Sequence, residues 1–248
     1  MNESYCAQLV RTQDPDRYLI SLYFPQDIRD HLWALYAFNY EIAKTREVVS
    51  DTTIGLIRLQ WWRDGLAQFY EKNIVTKNDI VESLAKAIWR FDLKRELFDH
   101  VIYAREFDLE DRAPGSLEGL CNYADFTHTP LLRLGALITG GDPEHAALQP
   151  VAMAYALTGL IRAFPFHQQQ GRSFIPDGAG IRDIRERAEE LLRQSSSVGE
   201  GRLIRLHRMV AQQYLHKIKA LGDDPAHRGM QIPPVFRSWG LARALRKK

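Results

Sequence analysis

Four cations could hold a polyanion: Lys44 and Arg46 near the end of one predicted helix, Arg162 inside another, and Arg172 shortly after it. Fixed ammonium and guanidinium groups can grip phosphate without a metal. Lys44 and Arg46 would serve equally well as a solvated polar stripe, and both alternatives stay open at this point. His167 lies between Arg162 and Arg172 and has the chemistry of a general base or metal ligand. No second histidine stands at ligand spacing, and Pro165 is expected to break the helix there, which points to a structural role. Asp108, Glu110 and Asp111 make a compact acidic cluster that suits solvated helix-end charge better than a metal site. Tyr36, Tyr40, Trp62, Tyr123 and Phe166 are candidates to line an apolar cavity, together with Phe38 and Trp61. Packing between helices is the favoured role for this aromatic stripe, since aromatic side chains dominate ordinary helical cores.

These residues need helices to carry them, and the pattern supplies little else. Period-2 alternation is scarce and helical periodicity runs through the chain. Pro25 can open a helix reaching about residue 49, whose apolar stripe includes Ile28, Leu32, Leu35 and Tyr36. The run Ser50, Asp51, Thr52 offers a cap for a second helix over 54–70. Thr76 and Asp79 suggest a capping box for a third, ending near residues 89–90, and a fourth follows over 94–111. Ser116 caps the next, which runs toward Ile138 with Pro130 inside it. Gly140, Gly141, Asp142 and Pro143 read as a stop followed by a start, opening a helix over 144–164. Charged amphipathic helices are expected over 182–194 and 202–221. The expected organisation is a polar lead (1–15), one all-α domain (16–222) and a basic tail (223–248).

Composition narrows the class. The chain has 248 residues, 45% hydrophobic and 26% charged, as an ordinary globular protein does. A net charge of +2 is too balanced to argue for nucleic acid, and none is expected as a partner. Cys6 and Cys121 lie far apart and outside any CxxC spacing, so a reducing compartment is expected. No apolar run approaches the length of a membrane span, and the first residues lack an apolar signal core. A bacterial cytoplasmic protein, or a mature organellar one, is the expectation. The tail carries Trp239, Leu241 and Leu245 among cations and could rest on anionic lipid or be a plain solvated terminus.

An ordered series of residues from Asp16 to Pro176 adds a more specific signal: Tyr18 and Leu19, Phe24 and Pro25, then Leu35, Tyr36, Ala37 and Phe38. Trp62 with Arg63, Asp108 with Leu109, and Tyr123 follow. Thr158, Arg162 and the run Gly171, Arg172, Ser173, Phe174, Ile175, Pro176 complete it. In this order they resemble the squalene/phytoene synthase family, in which two aspartate clusters hold magnesium against a prenyl diphosphate. On that alignment Tyr40 stands at an arginine position, and Ala43, Lys44 and Glu47 occupy the three aspartate positions of the first cluster. In the second, Ala163 and His167 replace metal-binding aspartates and Phe166 replaces an acid. The stretches Ala37–Ala43, Thr53–Leu56 and Ile161–His167 also resemble a non-catalytic branch of the family that serves the assembly of respiratory complex I.

The resemblance implies an isoprenoid-synthase-type helical bundle, truncated at the C-terminal end, with no catalytic residues and no metal. It implies a complex I (NADH:quinone oxidoreductase) assembly factor whose partner is a complex I subunit or assembly intermediate. An isoprenoid or lipid ligand and peripheral contact at the inner face of the inner membrane, or in the mitochondrial matrix, go with it. The alternatives are a prenyltransferase condensing two prenyl diphosphates, with magnesium as its cofactor and Lys44, Arg46, Arg162 and Arg172 on the leaving group, or a module that binds an isoprenoid unreacted.

Overall fold

The computed structural model describes residues 3–110, 112–195, 198–227, 230, 232–233 and 241–242, and these contain helices and turns but no strand. They divide into two compact units, one drawn from Met1–Glu110 and Arg133–Gly141 and the other from Asp111–Leu132 and Asp142–Lys248.

The first unit begins with α1 (Tyr5–Gln13) and α2 (Pro15–Ser21). The expected polar lead is therefore largely helical. Cys6, Ala7 and Val10 share one helical face and are buried, while Ser4 caps α1 by accepting from Ala7 N. Asp14 caps α2, with Pro15 in its first turn. The long α3 (Gln26–Ala43) packs on α1 and on α6 (Asp79–Phe91). Pro25 stands outside it, as the N-cap. The helix expected to reach residue 49 instead stops at Ala43, and a single turn, α4 (Thr45–Val48), follows. Thr45 directs its hydroxyl to the Glu41 carbonyl at 3.5 Å, a local competitor for the helical ladder.

Helix α5 (Thr52–Lys72) has the expected cap: Asp51 accepts from Ile54 N at 3.1 Å. It packs on α7 (Arg95–Ala104) and on a 3-10 helix (Phe107–Glu110), which together replace the single helix expected over 94–111. Gly55 permits this approach, because a Cβ there would stand 2.5 Å from a Leu109 methyl. The cap of α6 is Asn78 and not the expected Thr76/Asp79 box; its side-chain oxygen accepts from Ile80 N and Val81 N. Phe38 is fully buried and meets Trp62 and Phe98 edge-on at 5.4 and 5.6 Å.

The division between the units falls within α8 (Leu117–Ile138), which contains Pro130. Ser116 accepts from Gly119 N, as expected of a cap. In the second unit α9 (Leu148–Gln169) packs on α10 (Ile181–Gln194) and α11 (Arg202–Ala220). Asp142 does accept from Glu144 N, but His145 then accepts from Ala147 N, and that turn delays α9 to Leu148. Pro165 does not end the helix; α9 continues through it to Gln169. A proline forfeits one ladder bond, which a well-packed helix can absorb.

Glu200 is buried with Arg208, whose Nε donates to both its carboxylate oxygens at 2.9 and 3.1 Å; Arg208 Nη1 also donates to Leu192 O and Ser195 Oγ. Removing one partner strands the other's charge. Glu200→Ala should therefore lower unfolding free energy by about 3–5 kcal/mol, read by urea denaturation, whereas Glu190→Ala, at a carboxylate that pairs with the exposed Arg193, should leave it nearly unchanged.

Candidate functional site

In the first unit the candidate residues gather where α3 gives way to α4. Glu41 is the centre of the group. Lys44 Nζ donates to its Oε1 at 2.6 Å, and Arg58 Nη2, from the second turn of α5, donates to its Oε2 at 2.8 Å. The Lys44 ammonium also lies 4.8 Å from the Tyr40 ring centroid. Arg46 donates to the Val49 carbonyl at 2.6 Å, which ties down the turn before α5. Glu47 is exposed and Ala43 half-buried. Lys44 is thus an ion-pair partner of Glu41. The sequence candidates did not include Arg58, and Glu41 stood among them only as an acid that Arg172 could pair with. Glu41 and Lys44 are three apart on a helix, a legible pairing signal, but Arg58 reaches Glu41 only through the fold.

Tyr36 is 2% exposed and lies under the Arg17 guanidinium, 5.5 Å away. Burial raises its hydroxyl pKa above the ordinary tyrosine value. Trp62 is buried against Phe38, as favoured for the aromatic stripe, but Trp61 is 42% exposed. Among the acidic cluster, Asp108 pairs with Arg105 at 3.4 Å, and Asp111 lies outside the described residues, as do Trp239 and Leu245 of the tail.

In the second unit Arg162 stacks its guanidinium on Tyr214, 3.6 Å from the ring centroid. Gly171 takes φ +72°, a left-handed conformation suited to glycine, so that Arg172 N donates to His167 O at 2.9 Å and the chain doubles back after α9. That return sets Phe174 edge-on to His167 at 4.5 Å, while Tyr123 stacks on Phe174 at 6.2 Å. Phe166 is 46% exposed, and Ala163 is half-buried. Burial first, and the nearby Arg172 charge second, hold the His167 pKa below the ordinary histidine value.

The squalene/phytoene synthase family profile matches residues 10–178 of this chain. The chain belongs to that family. Among curated relatives, a bovine (Bos taurus) protein named NADH dehydrogenase (ubiquinone) complex I, assembly factor 6 is 33% identical over 219 residues, covering 86% of this chain and 64% of its own. Its human counterpart is 34% identical over 176 residues, covering 70% and 53%. A phytoene synthase from Thermus thermophilus is 27% identical over 188 residues, covering 72% and 62%. This squalene/phytoene synthase family member thus spans between about half and two thirds of these relatives' lengths. A crystal structure of a dehydrosqualene synthase superposes with a TM-score of 0.82 at 13% identity, covering 97% of this chain and 94% of that one. A squalene synthase from Alicyclobacillus acidocaldarius gives 0.74 at 20% identity, covering 89% and 94%. The fold is the all-α isoprenoid-synthase fold, and α10 and α11 belong to it despite their charge.

Family membership raises magnesium, and the side chains do not fit it. Magnesium requires hard oxygen donors, usually carboxylates plus substrate phosphates. Among the described residues no three His, Cys, Asp or Glu side chains cluster closely enough to hold a metal. Glu41, a half-buried carboxylate near the end of α3, already accepts from two cations. A cation 4 Å from a bound ion would oppose each of its charges by about 4 kcal/mol at an effective dielectric near 20.

The depressed His167 pKa has a signed consequence. Between the ordinary value and the lower folded value, the unfolded chain binds the proton and the folded chain does not, so acidification through that window costs stability. Histidine NMR titration should place His167 below the ordinary histidine value, and His167→Gln should lose less melting temperature than the parent between neutral and mildly acidic pH.

Proposed function

We propose that this chain is a non-catalytic member of its family that acts in the assembly of respiratory complex I. It works without magnesium and through a protein partner, a complex I subunit or an assembly intermediate, meeting the inner face of the membrane peripherally. The observation that carries this is Lys44: it occupies an aspartate position of the family's first cluster and is bound to Glu41 at 2.6 Å. A leaving diphosphate needs its developing charge neutralised by metal. Losing even about 8 kcal/mol of that stabilisation slows a reaction roughly a millionfold. Ala43, Ala163 and His167 add no carboxylate to compensate. The names of the 33–34% identical relatives support the assembly role, and no described helix is long and apolar enough to cross a membrane.

The test has two arms. Deleting the gene should lower both assembled complex I and NADH:quinone activity, and the intact chain should restore them, as should a Lys44→Ala variant. Purified protein given labelled farnesyl diphosphate and magnesium should release no diphosphate above buffer. Normal complex I in the deletion strain, or release that vanishes in Arg162→Ala, would overturn the proposal.

A further inference from the structure

Helix α5 turns two different faces outward and inward. Gly55, Leu59, Trp62 and Leu66 form its buried side. On the other side Ile54, Ile57 and Trp61 follow helical spacing, and they are 55%, 65% and 42% exposed. Val48 in α4, just before, is 55% exposed. Three large apolar side chains in one stripe over two turns, about 10 Å of helix, are more than the scattered exposure normal for a monomer. Nothing in the ion-pair site explains them.

Two observations say what the stripe fits. The first is rigidity. Trp61 stands edge-on to the buried Trp62, with ring centroids 4.9 Å apart, so its ring is held before any partner arrives. Held aromatic side chains flanked by aliphatic ones are the usual anchors of protein interfaces. The second is charge. Residues 41–64 contain four bases (Lys44, Arg46, Arg58, Arg63) and four acids (Glu41, Glu47, Asp51, Asp64). Arg58, beside the stripe, is spent on Glu41, and Asp64 accepts from Gln60 at 2.7 Å. An anionic lipid surface selects for surplus positive charge, and this edge has none. An apolar centre inside a balanced polar rim matches a protein partner.

We infer that the Ile54–Ile57–Trp61 stripe is the surface by which this chain docks a partner polypeptide, one presenting an uncharged apolar face about 10 Å long. This rests on the assembly role proposed above and names the surface that would perform it.

The full chain carrying a photo-crosslinking residue at position 57 or 61 tests it in the gene-deletion strain, with position 89 as the control because Trp89 is 83% exposed elsewhere in the same unit. Positions 57 and 61 should both crosslink to one complex I subunit, identified by mass spectrometry, and position 89 should not. Ile57→Asp in the crosslinking background should cut the position-61 adduct about tenfold, as expected on losing an interface anchor, with restored complex I falling alongside. Its melting temperature should match the parent's; if it melts early, Ile57→Ser replaces it. Adducts only to a second copy of this chain, equal adducts at position 89, or no adduct at any position would overturn the inference. So would flotation with phosphatidylcholine–cardiolipin vesicles that Ile57→Asp abolishes, which would make the stripe a lipid contact. A deletion strain with normal complex I sinks the assembly role itself. Full restoration by Ile57→Asp together with Trp61→Asp in a strain that needs the gene sinks this surface alone.

Discussion

Glu41 divides its carboxylate between two cations, one oxygen to Lys44 and the other to Arg58. This triad joins the end of α3 to the start of α5 across the break at Lys44, and it sits where a metal-binding family member would keep its acids free. Each ion pair is partly exposed, so its contribution to stability is modest. Its effect on chemistry is larger. A carboxylate already compensated by two cations has little affinity left for a third, and a divalent ion brought near them is opposed by both. The fold has kept the family's helices, and the Glu41 carboxylate between them is occupied by its own cations.

The second segment shows the same replacement by other means. Where the resemblance places aspartates, the chain has Ala163 and a histidine whose pKa is held below the ordinary value by burial and by Arg172. His167 packs edge-on to Phe174, which stacks with Tyr123, while Arg162 lies flat on Tyr214. Groups that would handle charge in an enzyme are here engaged with rings. A shared fold does not carry a shared activity, which resides in particular side chains, and here these side chains pack against rings.

Much of this was legible in the residues. Helical periodicity marked most of the helices, Asp51 and Ser116 were readable as caps, and the aspartate positions could be aligned without coordinates. What escaped had physical causes. At the break by Lys44, Thr45 bonds back to the Glu41 carbonyl, and before the late start of α9 His145 accepts from Ala147 N, contacts that no periodicity announces. Asn78 outcompeted the Thr76/Asp79 pair because its oxygen serves two backbone donors. Pro165 was expected to stop a helix that passes through it. The polar composition of residues 3–15 hid an apolar face of only three residues. Arg58 was invisible because its partner lies 17 residues away in sequence.

Titration of the intact chain with Mn2+, followed by electron paramagnetic resonance, tests the closed metal site most directly, since manganese takes the same oxygen ligands as magnesium and its free form is counted spectroscopically. With Glu41 compensated, free Mn2+ should track total Mn2+ through the millimolar range, with and without an added prenyl diphosphate beyond what the diphosphate binds alone. Saturable binding at one or more sites per chain, strengthened by Lys44→Ala and lost in Glu41→Gln, would contradict the account.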